Sequence, residues 1–264
     1  LVDEIGGTLV KSVSATTNLQ DPHYIRAKPS LMAKIRNADL LICTGADLEI
    51  CWLPILLRNA KSSVQMGNEG NLMTSNLVRL IEKPEILDRS MGDIHAAGNP
   101  HFHLDPNNIL PVAQEINLRL QKIDPENAAI YQSNYQNFSE KWQKSIKIWQ
   151  QKAEKLKGAK IVVNHKSFSY LINWLEMDEI GSLEPKAGVT PSAAYLSGLL
   201  EKLKNNPPNF VILTPFDAKN ASNWLVKQME VKIVRLPYTV KKGGDLFKMF
   251  DETIDLMLLG MPAL

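Results

Sequence analysis

The sequence predicts an α/β protein of two lobes, each with a mostly parallel sheet flanked by helices, the two joined by one long helix. Three observations predict it. Short β-branched runs alternate with helix-like runs along the chain, the pattern of parallel sheets. Three helix starts carry an N-cap acceptor followed by proline, Asp105-Pro106, Asp124-Pro125 and Thr190-Pro191. One stretch, 125–157, contains neither glycine nor proline after its first residue and is dominated by helix formers.

Taken in order, residues 8–13 read as a first strand, and Ser30 reads as the cap of a helix running to Ala38. A strand is expected over 39–43, followed by helical spacing over 47–57, which Pro54 kinks or shortens. The stretch 66–100 is the least regular and is read as loop with a short helix near 75–82. The capped starts at Asp105 and Asp124 open the next two helices. The second carries Tyr131, Tyr135, Phe138, Trp142, Ile146 and Trp149 at spacings that give one face, read as core packing. At about 1.5 Å per residue such a helix is roughly 50 Å long, more than a crossover within one sheet needs. Gly158 ends it near its lysines. Strands follow at 160–164, 209–213 and 231–236. The division expected is an N-lobe over 1–123, a connecting helix over 124–157 and a C-lobe over 158–264.

The composition narrows the function classes. A formal net charge of +2 with dispersed basic residues provides no field for steering to nucleic acid. No stretch approaches the roughly 20 apolar residues of a membrane span. The opening Leu1-Val2-Asp3-Glu4 has no signal-peptide features, as in a mature exported protein or a cytoplasmic one. The two cysteines, Cys43 and Cys51, cannot make a site of four thiolates and are read as small buried apolar residues.

The five histidines are the residues with metal chemistry. His23 lies in the turn Gln20-Asp21-Pro22-His23-Tyr24. His101 and His103 lie in Asn99-Pro100-His101-Phe102-His103-Leu104-Asp105-Pro106, before a capped helix. His165 follows an expected strand, at the carboxyl edge where open α/β sheets bind ligands. Proline before His23 and His101 stiffens both loops. A single loop histidine is ordinarily a surface residue, and these spacings match no local motif such as H-E-x-x-H. The residues alone permit a metal site without establishing one.

The loops around them are more specific. Asp21-Pro22-His23-Tyr24 with Pro29-Ser30, Ala38-Asp39-Leu40-Leu41-Ile42 with Gly45 and Leu48-Glu49, Asn99-Pro100-His101 with Leu104-Asp105-Pro106, and Asn164-His165 with Phe168 and Tyr170-Leu171 occur in order. Together they resemble the periplasmic metal-binding proteins of zinc and manganese ABC importers, over nearly the whole chain. The resemblance implies His23, His101 and His165 as ligands and the long helix as the backbone joining the lobes. It also implies zinc before manganese, because His165 stands where manganese members tend to place a carboxylate, and imidazole suits zinc. Many members add a C-lobe aspartate in a Leu-Asp-Pro-like segment. Here that segment reads Leu236-Pro237-Tyr238-Thr239, leaving Asp245, Glu184 or water as the fourth donor, with Asp245 equally readable as a helix N-cap. His95 and His103 read as relay or exposed residues. The family's opening strand is absent before Ile5-Gly6-Gly7, so the chain is expected to start inside the mature protein.

The resemblance further implies a monomer that captures a metal ion between the lobes, with small changes centred on 66–100, and delivers it to a membrane permease without catalysis. Two rivals are a zinc hydrolase, which needs a general base beside bound water, and a binding or adhesive protein with incidental histidines.

Overall fold

The computed structural model describes residues 1–85 and 95–262. Part of the irregular stretch 66–100, residues 86–94, lies outside the described residues, so the expectation of changes centred there does too. The chain divides into two compact units. Leu1–Lys83 and His95–Ile146 form the first, and Lys147–Leu264 makes up most of the second.

In the first unit, helix α1 (Val2–Gly6) is followed by a 3₁₀ turn, Gly7–Leu9, and irregular chain. The strand expected over 8–13 does not form. Its Leu9 and Val13 are exposed, and Ser12 Oγ instead donates to Asp3 Oδ1 at 2.6 Å. β-branched residues favour a strand through packing on a half-buried surface, which this segment lacks. Helix α2 (Pro29–Arg36) has Pro29 in its first turn and extended Lys28 at its N-cap. Ser30 is therefore inside the helix, because proline fixes the start one residue earlier than a serine cap would. Strand β1 (Leu41–Cys43) follows, and 47–52 makes turns rather than helix. Pro54 does not kink the next helix, α3 (Leu53–Leu57), but helps to open it.

Strand β2 (Asn71–Met73), unforeseen in a Gly- and Asn-rich stretch, pairs parallel with β1, Leu41 opposite Asn71. Against this pair pack Ile25, Ile35, Trp52, Leu53, Leu56 and Leu57, together with the buried Cys43. Cys51 is exposed, contrary to expectation, and neither cysteine is bonded to the other. The helix expected at 75–82 is only a 3₁₀ turn, Thr74–Leu77.

Asp105 caps as expected, its side chain accepting from the Asn107 amide at 2.8 Å. The turn Pro106–Asn108 leads into α4 (Ile109–Ile123), which buries Ile109, Val112, Ala113, Ile116 and Leu120 on one face. Asp124 does not cap a backbone amide. Its carboxylate accepts from Tyr131 Oη at 2.6 Å and from Asn127 Nδ2 at 2.8 Å.

The long helix, α5, spans Ala128–Lys152. Its aromatic face is core. Within the first unit Tyr131, Phe138 and Trp142 are buried, Phe138 stacks on Trp142 at 5.3 Å, and Trp142 Nε1 donates to Pro106 O. Beyond Ile146 the same face enters the second unit. There Trp149 stacks on Phe250 at 5.0 Å and donates to Asp251 Oδ1 at 2.7 Å. A 3₁₀ turn, Glu154–Leu156, precedes Gly158, whose φ of 69° only glycine adopts readily.

The second unit is a four-stranded parallel sheet in the order β4-β3-β5-β6. The strands are β3 (Lys160–Val163), β4 (Asp178–Ser182), β5 (Phe210–Leu213) and β6 (Lys232–Arg235). The central strands read as unbroken apolar runs because both their faces are covered. Edge strand β4 carries Asp178, Glu179 and Gly181, which is why its sequence does not announce a strand. Between β3 and β4 lies α6 (Ser169–Trp174); α7 (Ala193–Asn205), α8 (Asn220–Gln228) and α9 (Leu246–Gly260) complete the unit. Helix α7 is capped by Ser192, which accepts from the Tyr195 amide at 3.2 Å, and not by Thr190. Val162, Val211, Leu199, Leu203 and Leu225 form the core on one face of the sheet.

On the other face α9 approaches through Gly260. A Cβ built there would lie 2.5 Å from Val234 Cγ2 and 3.3 Å from Phe210 Cγ. Replacing glycine by alanine inside a helix ordinarily stabilises by up to about 1 kcal/mol. Overpacking against a buried sheet costs about 1–3 kcal/mol, and at a helix end the propensity gain is at its smallest. Gly260→Ala is therefore expected to lower the thermal midpoint in a calorimetric scan. An unchanged or raised midpoint would show that α9 shifts without cost.

Candidate metal centre

The first unit brings three of its four histidines, His23, His95 and His101, close together. His23 lies in a turn fixed on both sides. Asp21 Oδ1 accepts the His23 backbone N–H at 3.0 Å and lies 2.6 Å from His23 Nδ1. Trp52 Nε1, itself buried, donates to Pro22 O at 2.8 Å. An ionised carboxylate can only accept, so Asp21 draws the ring proton to Nδ1 and leaves the lone pair on Nε2. That Nε2 lies 3.1 Å from Nε2 of His95.

His101 is buried, 1% exposed, at the entry to the turn Phe102–Leu104. Its backbone N–H is accepted by Asn99 Oδ1 at 2.9 Å, while Asn99 Nδ2 donates to Glu82 Oε2 at 2.7 Å and the Asn99 amide to Ile81 O at 2.8 Å. Asn99 thereby ties the His101 loop to chain near 81–82. The ring centroids of His23 and His101 are 5.4 Å apart and those of His95 and His101 6.2 Å, both pairs near edge-on. His103 is half-buried in the same turn.

The chain after β1 supports this cluster. Gly45, Ala46 and Asp47 have φ of 80°, 50° and 64°, three successive left-handed residues. For Ala46 and Asp47 that conformation costs on the order of 1–3 kcal/mol each. Buried Glu49 stabilises the turn, accepting from the Thr44 and Gly45 amides at 2.7 and 3.0 Å. Its burial pushes the carboxyl pKa up, and the amide hydrogen bonds oppose the shift. From this turn Asp47 Oδ2 accepts the Ala96 amide at 3.2 Å, fixing the residue beside His95.

The second unit presents His165, extended directly after β3 and Asn164. Its Nδ1 lies 2.8 Å from Glu184 Oε2, which also accepts the Gly188 amide at 2.8 Å. This is the same device as at His23, and it again leaves the lone pair on Nε2. Asp217 follows β5 in a reciprocal turn. Its Oδ2 accepts the Thr214 amide at 2.7 Å, and its own amide donates to Thr214 Oγ1 at 3.1 Å. Burial raises the Asp217 pKa, whereas the charge of His165 lowers it and that of Glu184 raises it.

The segment where an aspartate was sought, Leu236-Pro237-Tyr238-Thr239, holds a buried Tyr238 edge-on to Phe216 at 5.4 Å. Asp245 caps α9, Oδ1 accepting the Lys248 amide at 2.8 Å and Oδ2 lying 3.2 Å from Lys248 Nζ. Sequence reasoning did not place His95 beside His23 and did not single out Asp217. The first depends on the Asp47–Ala96 bond between residues distant in sequence, and the second on packing at a strand end. The turn Thr214-Pro215-Phe216-Asp217 after an apolar run was the one available signal for Asp217.

The profile of the family "zinc-uptake complex component A, periplasmic" matches residues 1–257. A high-affinity zinc uptake system protein ZnuA of Bacillus subtilis is 26% identical over 188 residues, 70% of this chain and 56% of that protein. The metal ABC transporter substrate-binding lipoprotein SloC of Streptococcus mutans is 27% identical over 213 residues, 78% of this chain and 66% of that one. The chain thus spans between about half and two thirds of these relatives. A crystal structure of ZnuA superposes with a TM-score of 0.81 at 20% identity, over 99% of this chain and 94% of that one. A Mn-bound periplasmic metal-binding protein of Candidatus Liberibacter asiaticus gives 0.75 at 18% identity, over 97% and 93%. These two likenesses establish the α/β two-lobe fold, and the profile match over nearly the full length establishes that the chain belongs to the family of the periplasmic component A of zinc-uptake complexes.

Proposed function

We propose that this protein captures a zinc ion in the periplasm and delivers it, as a monomer, to the membrane permease of an ABC importer, without catalysing a reaction on it. His23, His101 and His165 are its ligands in this reading, with manganese as the alternative cargo. The observation that carries the proposal is the pair of carboxylate-held imidazoles. Asp21 on His23 and Glu184 on His165 each fix a ring so that Nε2 offers its lone pair. Neutral imidazole of that kind is a zinc donor, and manganese prefers oxygen. Membership in a zinc-uptake family supports transport over the hydrolase reading. No helix among the described residues is long and apolar enough to cross a membrane.

Asp245, Glu184 and water were the sequence candidates for a fourth donor. Asp245 is engaged at the start of α9 and Glu184 at His165. Asp245→Ala is therefore expected to lower stability slightly, by about 0.5–2 kcal/mol as a lost cap, with little effect on zinc titration. Loss of zinc affinity would instead restore Asp245 as a ligand.

In calorimetric titration, His165→Ala should weaken zinc by more than the 10–100-fold typical of losing a ligand's hydrogen-bond partner, and Glu184→Gln by about 10–100-fold. His165→Glu should shift preference toward manganese. If none of the three variants changes either metal's affinity, His165 is not a ligand. If the wild-type protein gains no thermal stability with zinc, the capture reading fails.

Protons compete for the same lone pairs. Zinc affinity should thus fall as the solution is acidified, as followed with a competing chelator. A flat profile would mean that carboxylates dominate the site.

A further inference from the structure

We propose that His95 is itself a metal ligand, completing with His23 and His101 a three-imidazole site contained within the first unit. This deepens the zinc-capture reading and rests on it. Two ligands at the usual Zn–N distance of about 2.0–2.1 Å, set tetrahedrally, have nitrogens roughly 3.3–3.4 Å apart. His23 Nε2 and His95 Nε2 are 3.1 Å apart. Adding a ring radius of roughly 1.1 Å, tetrahedral zinc would place imidazole centroids about 5.2 Å from one another. The three centroid separations are 5.2, 5.4 and 6.2 Å, so two match and the third must close by about an ångström. The interplanar angles of 35°, 70° and 86° exclude a face-to-face stack of the three rings.

Hydrogen-bond chemistry points the same way. Asp21 fixes the His23 proton on Nδ1, so the 3.1 Å contact has His95 Nε2–H donating to the His23 Nε2 lone pair. Zinc would take the place of that single proton, with the His95 hydrogen relocating to Nδ1 by exchange with water. Both rings then face the ion as neutral donors.

His95 is also placed, not trailing. Its carbonyl accepts from the Gly98 amide at 3.0 Å, and the neighbouring Ala96 amide is held by Asp47. Gly98, with φ of 119° and Ile81 O 2.8 Å from any added Cβ, turns the chain tightly between His95 and Asn99. With three imidazoles in the first unit and His165 as proposed above, four nitrogen donors are available. Zinc is then complete with no carboxylate, which is consistent with the helix-capping role of Asp245 and the imidazole-holding role of Glu184. An all-imidazole set also discriminates more strongly against manganese than one with an oxygen donor.

The test uses the full chain labelled with ¹⁵N-histidine and loaded with ¹¹³Cd²⁺. Scalar coupling between the metal and ring nitrogens identifies each ligating histidine directly. Coupling at His95 together with His23 and His101 is expected. His95→Ala should weaken zinc at least tenfold and leave the thermal midpoint of the metal-free protein unchanged, with His95→Gln as a second variant should alanine perturb folding. Coupling at His23 and His101 without His95, with unaltered zinc affinity in the variants, would overturn this inference and leave the capture reading standing. Coupling at no histidine would overturn both.

Discussion

A neutral imidazole has one lone pair, and its second nitrogen decides where that lone pair points. That constraint acts once in each unit. Asp21 accepts a hydrogen bond from Nδ1–H of His23, and Glu184 one from Nδ1–H of His165, at 2.6 and 2.8 Å. Without them each ring would flip between tautomers and orientations, and a metal ion would have to order it on binding. With them that ordering is done during folding, which keeps the cost out of the binding step. Each carboxylate is in turn held by a backbone amide, from His23 itself and from Gly188. The fold therefore specifies which nitrogen of each ring faces its carboxylate.

The cost of this arrangement appears just after β1. Three successive left-handed residues and a buried carboxylate are both unfavourable by themselves. They coexist because each relieves the other. The turn aims the amides of Thr44 and Gly45 at Glu49, and Glu49 satisfies two donors that would otherwise end the strand unpaired. The product of the turn is the direction of Asp47, which reaches the amide next to His95. Strain at one loop is thus coupled to the placement of a histidine almost fifty residues away in sequence. The nearby His101 is set by a separate device, Asn99, whose side chain both accepts from the His101 amide and donates to Glu82.

What the sequence revealed follows from how local each determinant is. The long helix was legible because its aromatic spacing and its lack of glycine are properties of one segment, and Asp105 because a cap acts over two residues. Strands β3 and β5 were legible as apolar runs because both faces are covered. The segment 8–13 shows the converse: it has strand composition and no partner strand. β2 and β4 have partners and no strand composition, since a neighbour's backbone supplies what their side chains do not. His23, His101 and His165 stood out only because several residues around each resemble one family's loops. His95 had no such surroundings. Its position depends on a contact with Asp47 that no short pattern encodes, and Asp217 was hidden for the same reason.

The metal preference can be argued from where the oxygens are. Manganese needs carboxylate oxygens directed at it. In the first unit the nearest carboxylates are otherwise engaged, Asp21 on His23, Glu49 on strand-end amides and Asp47 on Ala96. In the second unit Glu184 holds His165 and Gly188, Asp217 closes its turn with Thr214, and Asp245 caps α9. The segment that might have offered a further acid buries Tyr238 against Phe216 instead. Each of these carboxylates thus already supports a turn, a helix end or an imidazole. In the zinc reading proposed above, imidazole nitrogens are the donors and these carboxylates keep their present partners.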